Sequence, residues 1–309
     1  MSGFFIYLNL NKTMNKTNLL KAIGDTPMIK LNKIIKNKDI NLFVKLEGQN
    51  PGGSIKDRMA LYMIQQAEKR GDLKKGKIIL EATSGNTGIA FSMLGAYKGY
   101  EVRIVMSEGM SDERKAMIRS FGAKLILTNK ELGTEGAIKK AQELIKESPS
   151  LYWFVDQFNN KDNLNSHYYS IAPEILNEVS DIDYLFAGIG TSGTIMGIGK
   201  RFKEESPKTK IVGIIPPEGY KIQGLQNPQK DFIGNVFDKE LIDEAFNVSQ
   251  EESFMMTRKV AREEGLFVGM SSGASLFAAY KKSESLKSGN LVVVIPDRGE
   301  KYLSTDLFV

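Results

Sequence analysis

The amine of Lys56 stands where helix electrostatics disfavour it. In Asn50-Pro51-Gly52-Gly53-Ser54-Ile55-Lys56-Asp57-Arg58 it opens a helical stretch, the end at which the macrodipole repels positive charge. The Gly-Gly-Ser lead-in leaves its stem room to reach a ligand, and violations of local rules gather at functional sites. An amine so placed can serve as covalent nucleophile and as base; the plain alternative is a surface lysine. Two further loops could bind anions. Gly188-Ile189-Gly190-Thr191-Ser192-Gly193-Thr194 follows an apolar run and opens a helical stretch. Its glycines let backbone approach a phosphate while free amides and the hydroxyls of Thr191, Ser192 and Thr194 donate to it. The same G-x-G-x-x-G spacing, with Glu218 near the end of the next strand, also fits a dinucleotide. An NAD-dependent oxidoreductase therefore stays open as a remote alternative. Glu81-Ala82-Thr83-Ser84-Gly85-Asn86-Thr87-Gly88 offers the hydroxyls of Thr83, Ser84 and Thr87 at a helix start, which suits a small carboxylate. Alone it would read as an N-cap with a glycine turn.

These loops need strands and helices to hold them. Short apolar runs at 42–46, 77–82, 102–106, 124–127, 184–187, 211–215 and 291–295 read as strands covered on both faces. Helical spacing fills 56–70, 87–97, 112–121, 134–147, 193–203 and 251–264. Such alternation predicts an α/β protein of two domains, each a mostly parallel sheet covered by helices, with the boundary between the sheets near 157–163. Ligands in such folds bind at the carboxyl ends of the strands, where all three segments fall.

Composition narrows the chemistry. The 309 residues contain no Cys and one His, so thiolate metal sites, disulfides and cysteine nucleophiles are excluded, and any Ser-His-Asp triad would have to use His167. No metal is expected. A net charge of +5 is spread thinly. Its densest stretch, 69–77, is broken by Gly71, Asp72 and Gly76 and reads as a solvated helix end, so no nucleic-acid partner is expected. No apolar run reaches the ~20 residues of a membrane span. Residues 4–8 lack the basic lead and small-residue cleavage site of a signal peptide. The expectation is a cytoplasmic protein with no membrane partner.

Four motifs occur in order: Asn-Pro-Gly-Gly-Ser-Ile-Lys-Asp-Arg, Thr-Ser-Gly-Asn-Thr-Gly, Gly-Thr-Ser-Gly-Thr and, over 269–273, Gly-Met-Ser-Ser-Gly. Together they closely resemble the cysteine synthase (O-acetylserine sulfhydrylase) family of fold-type II pyridoxal phosphate enzymes, whose fold is tryptophan synthase β-like. The likeness covers roughly 21–297. Asp112-Glu113-Arg114-Lys115, Asp156-Gln157-Phe158-Asn159-Asn160 and Pro173-Glu174-Ile175 resemble the cysteine synthase B branch in particular. The resemblance implies pyridoxal 5'-phosphate as cofactor, with Lys56 as its Schiff-base lysine and Asn86 on its phenolic oxygen. Gly190, Thr191, Ser192, Gly193 and Thr194 match its phosphate cup, and Ser271 its pyridine nitrogen, although Ser272 is adjacent. Thr83, Ser84, Thr87 and Gln157 match the groups holding the substrate carboxylate. A neutral serine at the ring nitrogen weakens the electron sink, so expulsion of a β-substituent to give α-aminoacrylate competes well with transamination.

The expected reaction is β-replacement on an L-serine or L-cysteine derivative, O-acetylserine plus sulfide giving cysteine, by a homodimer. Expected domains are a smaller one over 46–159 and a larger one over 14–45 plus 160–309. An extension over 1–13 precedes Met14, itself a candidate start. Two positions depart from the family pattern. Ser192 replaces a common glycine in the cup. Asp231 stands before Phe232-Ile233 in a mouth loop where glycine is usual. If Asp231 faces the pocket it is a candidate base for water, and the alternative reaction is cysteine plus water giving serine and H2S. Otherwise it is a solvent-facing carboxylate.

Overall fold

The structure, a computed structural model, describes residues 17–231 and 233–309. The expected extension over 1–13 and the candidate start at Met14 lie outside the described residues. Among the described residues ten strands form two sheets. β1 (Met28–Leu31), β2 (Ile40–Leu46), β7 (Tyr184–Gly188), β8 (Lys210–Ile215), β9 (Glu244–Asn247) and β10 (Gly289–Ile295) make a six-stranded sheet in the order β1-β2-β10-β7-β8-β9. Only the edge pair β1–β2 is antiparallel. The second sheet, β3 (Ile78–Ala82), β4 (Val102–Ser107), β5 (Lys124–Thr128) and β6 (Tyr152–Phe154), is wholly parallel in the order β5-β4-β3-β6.

Period-two alternation splits the side chains of each sheet between two cores. On β10, Leu291, Val293 and Ile295 face α8 (Gln250–Glu264) and α9 (Met270–Ser283), while Val292 and Val294 face α6 (Ile171–Glu178) and α7 (Gly193–Glu205). The four-stranded sheet packs α1 (Lys56–Arg70), α2 (Asn86–Lys98) and α3 (Asp112–Ser120) on one face and α4 (Gly133–Glu147) on the other. The short helix α5 (Asp162–Tyr169) leads from the second sheet back toward the first. Every predicted strand and helix is present within a few residues. The sequence reading missed β1, β6, β9, α5, α6 and α9. For α9 the reason is physical: ten consecutive residues, Met270–Ala279, are buried, so its Gly, Ala and Ser carry no amphipathic period.

A buried ion cluster ties the large sheet to α1. Arg58 pairs with Glu47 and Glu174 at 2.6 Å each, and Lys45 pairs with Glu174 at 3.0 Å and Glu178 at 2.6 Å. Among the described residues no helix is long and apolar enough to cross a membrane.

Candidate active site

The carboxyl ends of β3, β4, β7, β8 and β10 open on one cavity of about 790 Å3, as the strand-end rule requires. Every predicted site residue except Gly193 lines it. Lys56 is the first residue of α1. Its approach is fixed by the Ile55 amide donating to Pro296 O at 2.9 Å and by a bridge between Ser54 and Asp297. Burial pushes the Lys56 amine down to about 8, against the opposing pull of Asp297 and Glu81. Among the described residues no hydrogen bond holds that amine.

The 190–194 loop has the geometry of an anion cradle. Ser192 adopts φ +70°, a left-handed conformation that explains why glycine is usual there, and its buried Oγ has no partner among the described residues. A Cβ on Gly190 would lie 2.5 Å from Gly224 O, and one on Gly193 only 1.9 Å from Asn163 Oδ1. Gly193, though off the cavity wall, is thus what lets α7 start so close to Asn163. Asn163 in turn donates to Thr191 Oγ1 at 3.0 Å and to Gln157 O at 2.7 Å. Thr194 Oγ1 lies 3.3 Å from Nε2 of His167. Burial, with the charges of Lys56 and Arg58, pushes that imidazole well below its ordinary pKa, so it is neutral. The orphaned hydroxyl and the free first-turn amides of α7 fit a phosphate.

In the second loop, Thr83 Oγ1 accepts from Gly85 N at 3.1 Å, which leaves the Thr83 hydroxyl proton and the whole Ser84 hydroxyl for a ligand. Gln157 is more committed. Its Nε2 donates to Glu81 Oε1 and Ala82 O at 3.0 Å each, and its Oε1 accepts from Thr87 at 2.7 Å. To grip a carboxylate, Gln157 and Thr87 must give up one of these bonds. Of the two candidate serines, Ser271 lines the cavity and Ser272 is fully buried behind it. Asp231 is exposed on the cavity wall. Its carboxylate accepts from Asn227 N at 2.6 Å, closing its own turn.

Sequence reasoning missed the residues that brace the site from afar. Asp297, just past β10, accepts from Asn86 Nδ2 at 2.8 Å and from Tyr302 Oη at 2.7 Å. Lys301 donates to Asn86 Oδ1 at 2.9 Å and to the carbonyls of Gly52 and Gly53 at 3.2 and 2.9 Å. Arg114, buried on α3, bonds Gln223 of the mouth loop and lies 4.6 Å above the Tyr302 ring. The available signal was position alone, since Asp297 falls two residues and Lys301 six residues past a predicted strand.

Residues 19–297 match the family of pyridoxal-phosphate dependent enzymes. The cysteine synthase of Aquifex aeolicus is 41% identical over 302 residues, covering 95% of this chain and 92% of that one. Cysteine synthase B of Pseudomonas aeruginosa is 40% identical over 297 residues, covering 96% and 99%. A solved hydrogen sulfide-producing enzyme from Fusobacterium nucleatum superposes with a TM-score of 0.88 at 38% identity, covering 93% and 99%. The dinucleotide alternative falls with this match, and Glu218, its expected ribose ligand, is an exposed partner of Lys230 at 2.9 Å. The fold, the cavity with its unbonded lysine and the match over 19–297 agree: the chain belongs to the pyridoxal-phosphate dependent enzymes.

Proposed function

We propose that the protein is a cysteine synthase, replacing the acetate of O-acetylserine with sulfide to give cysteine. The observation that carries this reading is the Lys56 amine, unbonded and depressed to about 8, on a cavity whose other wall offers unengaged hydroxyls. Lys56 would hold pyridoxal 5'-phosphate covalently, the 190–194 loop its phosphate, Asn86 its ring oxygen and Ser271 its ring nitrogen. When bound, the cofactor supplies the electron sink that makes the substrate's Cα proton removable. With the substrate in place, Lys56 would be the base that takes that proton. Thr83 and Ser84 bind the substrate carboxylate, and Gln157 and Thr87 order their loop. A division into 46–159 and 14–45 plus 160–309, supported by the two sheets, lets the carboxylate loop move against the phosphate loop. A homodimer belongs to this reading. A cytoplasmic location belongs to the same reading.

A second reading is favoured by one residue. Asp231 on the cavity wall is a carboxylate that can take a proton from water, so that cysteine plus water gives serine and H2S. It would also repel hydrosulfide, more strongly once closure expels solvent. Both readings are tested on the cofactor-loaded protein by measuring cysteine formed from O-acetylserine and sulfide, and H2S and serine released from cysteine. Synthesis is expected to dominate in Asp231→Gly and Asp231→Asn, with wild type shifted toward H2S release. An equal ratio of the two activities in all three proteins makes Asp231 a surface residue and leaves the synthase reading alone. Loss of O-acetylserine turnover in wild type overturns the first reading.

A further inference from the structure

We propose that Lys301 and Asp297 are positioning residues that lock the carboxamide of Asn86 in one orientation, so that its remaining N–H points into the cavity as a donor to the ring oxygen of the cofactor. The inference deepens the reading of Asn86 given above and rests on it. An ammonium has only donors, so the Asn86 atom that Lys301 reaches at 2.9 Å must be the oxygen. An ionised carboxylate only accepts, and Asp297 Oδ2 already takes the Tyr302 hydroxyl at 2.7 Å, so the atom it meets at 2.8 Å must be the nitrogen. Flipping the amide would set NH2 against an ammonium and C=O against a carboxylate. Two charge-assisted bonds would be lost together. Amide orientation is ordinarily a matter of choice among near-equal alternatives; here the two charges leave one. Asn86 Nδ2 has two protons, Asp297 takes one, and among the described residues the other is free at a residue that lines the cavity.

Lys301 is 4% exposed and makes no ion pair within 4 Å among the described residues. Its other bonds go to the Gly52 and Gly53 carbonyls, in the turn that carries the chain to Lys56. Asp297 is 1% exposed, and its main chain bridges Ser54 two residues before Lys56. One bracket therefore sets both the covalent anchor and the ring-oxygen donor, although 211 residues separate Asn86 from Asp297.

The test compares cofactor-free protein titrated with pyridoxal 5'-phosphate and with its 3-deoxy analogue, which lacks the ring oxygen. Binding is followed by fluorescence of the sole tryptophan, Trp153. The readout is the ratio of the two affinities, which a loss of general stability does not move. Asn86→Ala should cut the wild-type preference for the natural cofactor by about 10-fold or more, the size of one charge-assisted hydrogen bond. Lys301→Met and Asp297→Asn should each cut it comparably and Lys301→Arg should retain it, whereas in an Asn86→Ala background only the direct charge effects should remain, a smaller cut for Lys301→Met and a rise for Asp297→Asn. If Lys301→Met does not fold, Asp297→Asn decides alone, and with opposite signs. Removing a negative charge should favour an anionic ring oxygen and raise the preference, whereas losing the lock lowers it. An unchanged or raised ratio in Asp297→Asn overturns the inference. An unchanged ratio in Asn86→Ala overturns instead the reading of Asn86 on which it rests.

Discussion

The depressed amine of Lys56 can be exposed with ordinary buffers. Burial disfavours its ammonium more than Asp297 and Glu81 favour it, so the amine titrates near 8 rather than at its ordinary 10.5. Only the neutral amine attacks an electrophile. In the cofactor-free protein, the rate at which a trace acylating reagent labels Lys56 should climb with pH up to about 8 and then level. Peptide mass spectrometry reads the labelled site. Asp297→Asn should move the Lys56 midpoint lower, because that carboxylate holds it up. A midpoint near 10.5 would show that the amine is solvated and would remove the main support for its role. Lys56→Ala should leave no borohydride-fixable cofactor and lower turnover by several orders of magnitude, as nucleophile and base vanish together.

The elements work by bringing helix starts to strand ends, and the phosphate loop shows how narrow the tolerance is. Gly193→Ala puts a methyl group where Asn163 Oδ1 now sits, so Asn163 must leave Thr191 and the Gln157 carbonyl. Losing about 1–3 kcal/mol of bonding should weaken cofactor binding by roughly 5- to 150-fold in a Trp153 fluorescence titration. Unchanged affinity would mean that Asn163 does not order the loop. Ser84→Ala, by contrast, should leave cofactor affinity intact and reduce kcat/KM for the amino acid by about 10-fold or more, since the hydroxyl is free for the substrate carboxylate. These loops were legible in the sequence because glycine and hydroxyl residues at a strand–helix junction mean the same thing locally as in the folded chain. Helix α9 was not legible, although its opening Gly-Met-Ser-Ser-Gly was, because a helix of small residues buried all round has no periodic face. Asp297, Lys301 and Arg114 were not legible for a different reason: a buried lysine and a surface lysine look alike until tertiary contacts bring their partners together.

At the scale of the whole molecule, the ion cluster at Arg58 joins the large sheet to the helix that carries Lys56, and its energetics have a fixed sign with pH. The Arg58 and Glu47 side chains are 1% and 0% exposed. Burial alone would raise the Glu174 carboxyl, but the hydrogen bond and charge of Arg58, with the charge of Lys45, hold it at about 2 instead of 4.5. A carboxylate depressed in this way contributes its stability in full above 4.5 and loses it as pH falls from 4.5 toward 2. His167 acts at milder acidity. Because its folded pKa lies well below 6.5, the unfolded chain takes up a proton that the folded chain refuses, and stability falls as pH drops below 6.5. On acidification of the cofactor-free protein His167 sets a first stage of loss below 6.5 and Glu174 a second below 4.5. Against these stands the opposite gain from Asp57, which burial pushes up to about 7, and from Glu81, raised well above 4.5, so each stage is read as a variant's difference from wild type in denaturant midpoint. His167→Asn should flatten the first stage. Arg58→Met should cost about 3–5 kcal/mol at neutral pH, since it strands Glu47 and weakens the hold on Glu174 in a buried site. It should also flatten the second stage, as Glu174 regains a more ordinary pKa. The decisive comparison is the stability lost between pH 5 and pH 3. An equal loss in wild type and Arg58→Met would mean that the cluster is replaced by water when Arg58 is absent, and that packing alone holds α1 and its lysine against the large sheet.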